Sequence, residues 1–290
     1  MPLQFPTLDS PDPNDAPLQA FLRCCRQGNL AQVLQCLESR SLTNTSLAYG
    51  LKQATTADHV AVMRRLLETG AIIIGRTVEA AQSRDAYQAL LDHGLEVNNP
   101  MPFAYVVARN DPPLLRWFLS LGADPNLGPP DTYSKGFVGG NDPPVPNSGG
   151  ALETAAQQCD TIIIDILAEH GAEIKNCLAL QYAMMRNDGY RLTMLDHLAR
   201  RGFDINRFGY LPTLPHGGTA LHVAGNMGLA EEARWLIDHG ADPTVGVDQD
   251  VPPLYYASMR GNRVLSQMLM DETNKVLRAR KTGSQGGVIG

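Results

Sequence analysis

The sequence lacks a long apolar run and a signal-like N-terminus. No stretch approaches the ~20 consecutive apolar residues that a membrane-spanning helix needs. The first fifteen residues, MPLQFPTLDSPDPND, contain neither lysine nor arginine and are interrupted by prolines. They therefore lack the basic and apolar regions of a secretory signal. We expect a cytoplasmic or nuclear protein that has no membrane partner.

Cysteine is sparse and does not form a recognisable pattern. The five cysteines are an odd number, and none lies in a C-x-x-C pair. A disulfide framework or a zinc site is therefore not indicated, and we expect reduced cysteines that serve as small core residues. They are Cys24, Cys25, Cys36, Cys159 and Cys177.

An excess of positive charge is also missing. The formal net charge is −6, which argues against a nucleic-acid-binding surface, because phosphate contacts need clustered lysine and arginine. One basic cluster lies at the end of the last predicted helix, where cations interact favourably with the helix dipole. A localisation signal is the alternative interpretation of this cluster. Its members are Lys275, Arg278, Arg280 and Lys281.

The sequence does contain an internal repeat, which is clearest at 218–243, GTALHVAGNMGLAEEARWLIDHGADP. Thr219 is a good N-cap for a short helix that Gly228 ends. Gly240, twelve residues later, ends a longer helix and is followed by a turn, Ala-Asp-Pro. The unit is therefore predicted to be a short helix, a tight turn, a longer helix and an extended loop.

The same twelve-residue spacing between an inter-helix position and a loop position recurs along the chain. Helices this short cannot bury their apolar faces alone, so successive units must stack. Two further units contain the segments 90–98 and 197–206. The part that precedes the second helix is shortened in the first of these units and lengthened in the other. Together with the regular units they give about eight. The regular position pairs are 28 and 40, 58 and 70, 110 and 122, 159 and 171, 228 and 240, and 261 and 273.

The motifs TALHVA at 219–224 and GADPN at 122–126 resemble those of the ankyrin repeat family. The resemblance implies an all-α, ankyrin-type helical repeat solenoid of about eight helix-turn-helix units. In that fold, projecting loops and the first helices line a concave face. We expect an extended segment at 1–15, an ankyrin repeat domain at 16–274 and a flexible C-terminal tail at 275–290.

Two insertions make individual repeats of this chain longer than the ~33 residues that are typical of the family. Both insertions, about 126–150 and 206–217, are predicted to form loops beside the concave face, because they are rich in turn-forming residues. Their aromatic side chains either contact a partner or fold back to cap the repeat interfaces. These side chains are Tyr133 and Phe137 in the first insertion and Phe208 and Tyr210 in the second.

The resemblance also implies which residues point towards the concave face, namely the two before each inter-helix position. This stripe is polar with little net charge, and its two methionines add adaptable apolar contact. We predict partner binding by Arg26, Gln27, Arg109, Gln157, Gln158, Asn226, Met227, Met259 and Arg260, beside which Thr56, Ala57 and Ala108 occupy equivalent positions.

No catalytic motif, phosphate-binding loop or Cys/His zinc pattern is present. The resemblance implies that His222 has a structural role between neighbouring loops. His93, His170 and His239 each precede a loop glycine, where histidine interacts with the free carbonyls of a helix end. We therefore expect no catalytic residue, no metal and no cofactor.

The predicted function is that of a monomeric scaffold or adaptor, which binds another protein on the concave face and long loops and is not an enzyme. Two alternatives remain open. One is an enzyme or small-molecule binder with a pocket under the 126–150 insertion. The other is a targeting subunit of a larger enzyme complex, which needs a docking element beyond the repeats.

Overall fold

The computed structural model describes residues 8, 10–39, 42–128, 145–246 and 251–285. These residues form eight successive pairs of helices and one two-stranded sheet, which confirms the all-α repeat fold. The first helices of the pairs are α1 (Ala16–Gln27), α3 (Asn44–Thr56), α5 (Gly75–Ala80), α7 (Pro100–Ala108), α9 (Gly150–Gln158), α11 (Ala179–Met184), α13 (Ala220–Met227) and α15 (Pro253–Met259). The second helices are α2 (Leu30–Ser39), α4 (Val60–Glu68), α6 (Arg84–Leu91), α8 (Pro112–Ser120), α10 (Thr161–Glu169), α12 (Arg191–Arg200), α14 (Ala230–Asp238) and α16 (Arg263–Gln285).

The chain divides into two compact units. The first comprises 1–151 with 165–172, and the second comprises 152–164 with 173–290. Within the first unit, α1, α3, α5 and α7 pack successively against one another, and so do α2, α4 and α6. Within the second unit, α11, α13 and α15 pack successively, and so do α12, α14 and α16. Within each unit, successive pairs therefore bury their apolar faces against one another, as the short predicted helices require.

Buried apolar side chains fill the space between the stacked helices. In the first unit, the ring of Phe118 lies 5.7 Å from that of Tyr87 and 6.3 Å from that of Phe103. The helices also approach closely, since a β-carbon on Gly225 of α13 would lie 2.6 Å from the carbonyl oxygen of Pro253 on α15. No described helix is long and apolar enough to span a bilayer.

The turns between paired helices confirm most of the predicted inter-helix positions. A residue with positive φ, between 54° and 75°, follows the first helix at five of them. Two of these residues are not glycine, but aspartate and asparagine tolerate the left-handed region better than most side chains. The five residues are Gly28, Asp58, Asn110, Gly228 and Gly261.

Glycine ends the second helix at six of the predicted loop positions. Their φ angles are +81° to +100°, and a β-carbon on any of them would meet no atom within 4 Å. The requirement for glycine is therefore conformational. The N–H of the next residue reaches back to a helix carbonyl, as in the 2.8 Å bond from Ala241 N to Leu236 O. The six are Gly70, Gly94, Gly122, Gly171, Gly202 and Gly240.

Two predicted positions differ in the structure. Cys159 does not adopt positive φ, since its β-carbon disfavours that conformation; its carbonyl instead accepts a 2.9 Å hydrogen bond from Arg186. Thr273 does not end its helix, and α16 continues to Gln285, so the segment from 275 is helical where we expected a flexible tail. Arg280 of this extension contacts Asp242 at 2.7 Å, which accounts for one residue of the basic cluster.

The second insertion forms a hairpin rather than an irregular loop. Its strands, β1 (Gly209–Leu211) and β2 (Leu214–Gly218), pair antiparallel. Most of the first insertion lies outside the described residues. Its ends meet, because Gly128 and Val145 exchange two backbone hydrogen bonds of 2.8 and 3.0 Å.

Asparagine side chains connect successive loops. Asn206 donates a 3.0 Å hydrogen bond to the carbonyl of Gly240 and accepts a 2.7 Å bond from the N–H of Asp242. Asn98 and Asn126 each make one bond of this kind to the loop of the following pair. Backbone groups that leave a helix end are thus satisfied by the neighbouring repeat.

We predict that Asn206→Ala lowers the free energy of unfolding by about 1–2 kcal/mol, because two inter-loop hydrogen bonds are lost. Urea unfolding followed by circular dichroism measures the change. Asn187→Ala is the matched control, since Asn187 is exposed. Equal stabilities of the two variants would contradict the role assigned to Asn206.

His222 connects the loops that precede α13 and α15. Its Nδ1 accepts a 3.0 Å hydrogen bond from the N–H of Thr219, so the proton lies on Nε2, which donates to the carbonyl of Val251 at 3.2 Å. The ring is buried, and this burial lowers the pKa of His222 from 6.5 to about 4. The imidazole is therefore neutral and fully bonded, in agreement with the structural role that the resemblance implies.

The depressed pKa of His222 predicts a pH-dependent stability. Its contribution is fully present above pH 6.5 and is lost as the pH falls towards 4, because the unfolded chain then binds a proton that the folded chain excludes. The stability of the natural chain should fall by about 2–3 kcal/mol more than that of His222→Gln over this range. Urea unfolding at several pH values measures both slopes, and parallel slopes would contradict the prediction.

Candidate partner-binding surface

The residues predicted to face a partner lie in the last turn or at the cap of a first helix. We call this set the first-helix stripe. All of its members are exposed or half-buried, because the core-facing residues of each helix lie earlier in the same turn. Its members are Arg26 and Gln27 at α1, Thr56 and Ala57 at α3, Ala108 and Arg109 at α7, Gln157 and Gln158 at α9, Asn226 and Met227 at α13, and Met259 and Arg260 at α15.

Side chains from the following pair hold the ends of the first helices. Each donates a hydrogen bond to a carbonyl group in the last turn or cap of the preceding first helix, where no intrahelical donor is available. The backbone at these five helix ends is therefore fixed, while most of the stripe side chains are exposed at the surface. The bonds run from His59 to Arg26 O, Gln82 to Thr56 O, Arg109 to Glu79 O, Arg186 to Ala156 O and Asn262 to Gly228 O.

The hairpin lies beside the stripe in the second unit. Asn226 at the end of α13 donates a 3.3 Å hydrogen bond to the carbonyl of Thr213 in the hairpin turn. The Asn226 side chain also accepts a 3.2 Å bond from Arg260 at the end of α15. The hairpin and two successive parts of the stripe thus form one connected surface.

The base of the hairpin is held by Gln181, which the sequence did not single out. Its side chain is 1% exposed and donates to the carbonyls of Arg207, at 2.6 Å, and Gly218, at 3.3 Å. In the sequence, its role could be suspected only because Gln181 is a polar residue within the otherwise apolar helix segment ALQYAM.

The two described aromatic residues of the insertions have different environments. Tyr210 is 78% exposed, whereas Phe208 is 38% exposed. The ring of Phe208 lies edge-on to His222 at 6.2 Å, so Phe208 folds back onto the repeat. Tyr210 contacts Phe208 edge-on at 6.1 Å and presents most of its ring to solvent. Tyr133 and Phe137 lie outside the described residues, and their binding role stays a prediction.

The stripe differs in chemistry between the two units. In the second unit it exposes the apolar side chains of Met227, which is 44% exposed, and Met259, which is 71% exposed. In the first unit it is polar, and Arg109 lines an open cleft of about 400 Å³ together with Lys52 and Arg76. The sequence did not identify Arg76, because its pair departs from the regular spacing. It did not identify Lys52, because Lys52 lies one helical turn before the stripe position at Thr56.

Buried titratable groups outside the stripe do not have the properties of nucleophiles. Burial raises the pKa of the Cys25 thiol to about 12 and also raises that of Cys177. A catalytic thiol requires a lowered pKa, since the thiolate is the reactive form. Burial likewise raises the pKa of Glu153, whose carboxylate accepts a 2.9 Å bond from the N–H of Leu178. These groups have the character of core residues.

The remaining histidines of the repeat have a local role. His93, His170 and His239 each bond through Nδ1 to the carbonyl four residues earlier, at 2.7–2.8 Å. They satisfy helix-end carbonyls, as predicted from their position. In the described part of the chain, no group of three or more His, Cys, Asp or Glu side chains is placed to hold a metal ion.

Comparison with known proteins agrees with this architecture. The ankyrin repeat family model matches residues 216–246. The chain is 29% identical over 121 residues to ankyrin repeat protein nuc-2 of Neurospora crassa, across 41% of this chain and 11% of that protein. It is 43% identical over 54 residues to ankyrin repeat protein FPV022 of fowlpox virus, across 19% of this chain and 9% of that protein.

The aligned part thus spans about a tenth of the length of each of these relatives. The family match includes the segment with the clearest motif, in which Thr219, His222 and Gly240 make the contacts described above. The family match shows an ankyrin repeat at 216–246, and the repeated helix pairs fit an ankyrin-type helical repeat solenoid.

Proposed function

We propose that the chain is a scaffold or adaptor that binds another protein through the first-helix stripe and the hairpin, on the concave face expected of this fold. The match to the ankyrin repeat family supports a role in protein–protein interaction in general. The proposal includes the repeat domain at 16–274, a monomeric chain and a cytoplasmic or nuclear location.

The connection of the hairpin to the stripe is the observation that most supports this proposal. A series of hydrogen bonds links Thr213 in the hairpin turn to Asn226 and then to Arg260. Two large side chains that are close to this series in sequence are strongly exposed: Tyr210 at 78% and Met259 at 71%. Large side chains exposed on an ordered backbone supply contact area at a low entropic cost on association. A partner protein is the ligand class that suits such a surface.

An enzymatic role is not part of the proposal. The ankyrin repeat family is generally non-enzymatic. Burial raises the pKa values of the Cys25 and Cys177 thiols and so disfavours the reactive thiolates. Both ring nitrogens of the buried His222 are already hydrogen-bonded to backbone groups. The pocket of the alternative function would lie under a segment that is mostly outside the described residues.

We predict that Met259→Glu reduces partner recovery from a cell lysate by about tenfold or more, since it places a charge in an apolar contact. Val264→Glu is the matched control, because Val264 is 76% exposed on the second helix of the same pair. Quantitative mass spectrometry of affinity-purified chain identifies and measures the partners. Identical partner sets for Met259→Glu and the natural chain would contradict the proposal.

Two aromatic substitutions in the hairpin should separate binding from stability. Tyr210→Ala should leave the free energy of unfolding unchanged and weaken binding of the recovered partner about tenfold, because its ring is exposed. Phe208→Ala should lower the free energy of unfolding by about 1 kcal/mol, because its ring packs on His222. Urea unfolding and surface plasmon resonance measure the two quantities. A Tyr210→Ala variant with unchanged affinity would exclude the hairpin from the interface.

A further inference from the structure

The open cleft in the first unit crosses three successive first helices. Lys52 lies on α3, Arg76 and Glu79 lie on α5, and Arg109 caps α7. Adjacent packed helices are about 8–10 Å apart, so three of them span about 16–20 Å. An extended peptide covers that distance with about five or six residues at ~3.3 Å each.

The cleft concentrates positive charge that no described carboxylate pairs with. Among the residues that the structure describes, Lys52, Arg76 and Arg109 form no ion pair with a carboxylate. By contrast, Arg64 on the neighbouring second helix α4 pairs with Asp92 at 3.1 Å. Arg109 donates one hydrogen bond to a backbone carbonyl, which orients its guanidinium and leaves other N–H groups for a ligand.

A non-helical segment near the N-terminus of this chain lines a cleft together with two of the same cations. Ser10, Pro11 and Pro13 line a second cleft of about 370 Å³, to which Lys52 and Arg76 also belong. The hydroxyl of Tyr49 donates a 3.3 Å hydrogen bond to the carbonyl of Leu8, so the backbone of this segment is held at the surface. Non-helical chain that contains two prolines is therefore already present beside two of the cations.

We propose that the cleft formed by Lys52, Arg76 and Arg109 binds an extended acidic peptide segment of the partner protein, through carboxylates placed on successive cations. The inference rests on the proposed function. It specifies the chemical class of partner segment that the first unit binds. Carboxylates match the forked N–H groups of arginine, and pairing three otherwise unpaired cations gives both affinity and register.

A peptide fits this cleft better than a nucleic acid does. The chain has a formal net charge of −6, and the Glu79 carboxylate lies among the three cations. A continuous phosphate backbone would place a charge against Glu79 and would be repelled by it. A peptide can instead place a backbone N–H or a cationic side chain opposite Glu79.

Fluorescence anisotropy with a labelled hexapeptide of alternating glutamate and serine tests the inference on the full chain in low-salt buffer. We expect saturable binding that weakens as salt is added, and none with the peptide in which glutamine replaces glutamate. Lys52→Gln/Arg76→Gln/Arg109→Gln should weaken binding by about tenfold or more. Arg23→Gln/Lys175→Gln/Arg263→Gln removes the same charge from exposed sites outside the cleft and should change affinity by less than about twofold.

Lys52→Gln/Arg76→Gln retains the hydrogen bond of Arg109 and serves as the second variant should the triple variant unfold. It should weaken binding by about fivefold. An equal loss in the charge-matched control would overturn the inference, because binding would then follow overall charge. Tighter binding of a single-stranded DNA hexamer than of the peptide would also overturn it, in favour of a nucleic-acid site.

The inference and the proposed function can fail separately. If the peptide does not bind but partner recovery still depends on Met259, the acidic-peptide inference is wrong and the scaffold proposal stands. The opposite outcome is that peptide binding depends on the three cations while Met259→Glu still recovers every partner. In that case the partner-binding role of the stripe in the second unit is wrong, and the acidic-peptide inference for the cleft stands.

Discussion

Short helices end with carbonyl groups that have no intrahelical donor, and in this chain the next repeat supplies the donors. His59, Arg109 and Asn262 each bond to the end of the preceding first helix. Between loops the donation runs the other way, because Asn126 and Asn206 each donate to a carbonyl in the loop of the following pair. Because every pair needs its neighbour both for burial and for these hydrogen bonds, stability is built from pair to pair within each unit.

The same constraint defines the surface available to a partner. The ends of first helices such as α1 and α13 are fixed by the following pair, while the side chains of Arg26 and Met227 remain exposed at those ends. Ordered backbone with free side chains is the arrangement that loses least entropy on association. The two units offer different chemistry, with unpaired cations around Arg109 in the first and exposed apolar side chains around Met227 in the second.

The sequence predicted features that depend on local chemistry. Gly240 and Gly122 were identified because positive φ after a helix favours glycine, and the fixed spacing then located Asp58 and Asn110 without a glycine to mark them. The continuation of α16 was missed, because the spacing assigned a loop to Thr273 although threonine does not end a helix as glycine does.

Features that depend on stacking were not predictable in the same way. Lys52, Arg76 and Arg109 are far apart in sequence and meet only because α3, α5 and α7 pack successively. The role of Gln181 depends on a hairpin whose strands have too few residues to give an alternating pattern. Predictions for Tyr133 and Phe137 lie outside the described residues and remain predictions.

Hydrogen–deuterium exchange of the chain, alone and with a recovered partner, tests the central claim of protein binding through the first helices most directly. The account predicts slower exchange at the ends of the first helices and in the hairpin around Tyr210, where the exposed contact residues lie. Exchange at the exposed faces of second helices such as α4 and α14 should not change. Slower exchange confined to the second helices would contradict the account.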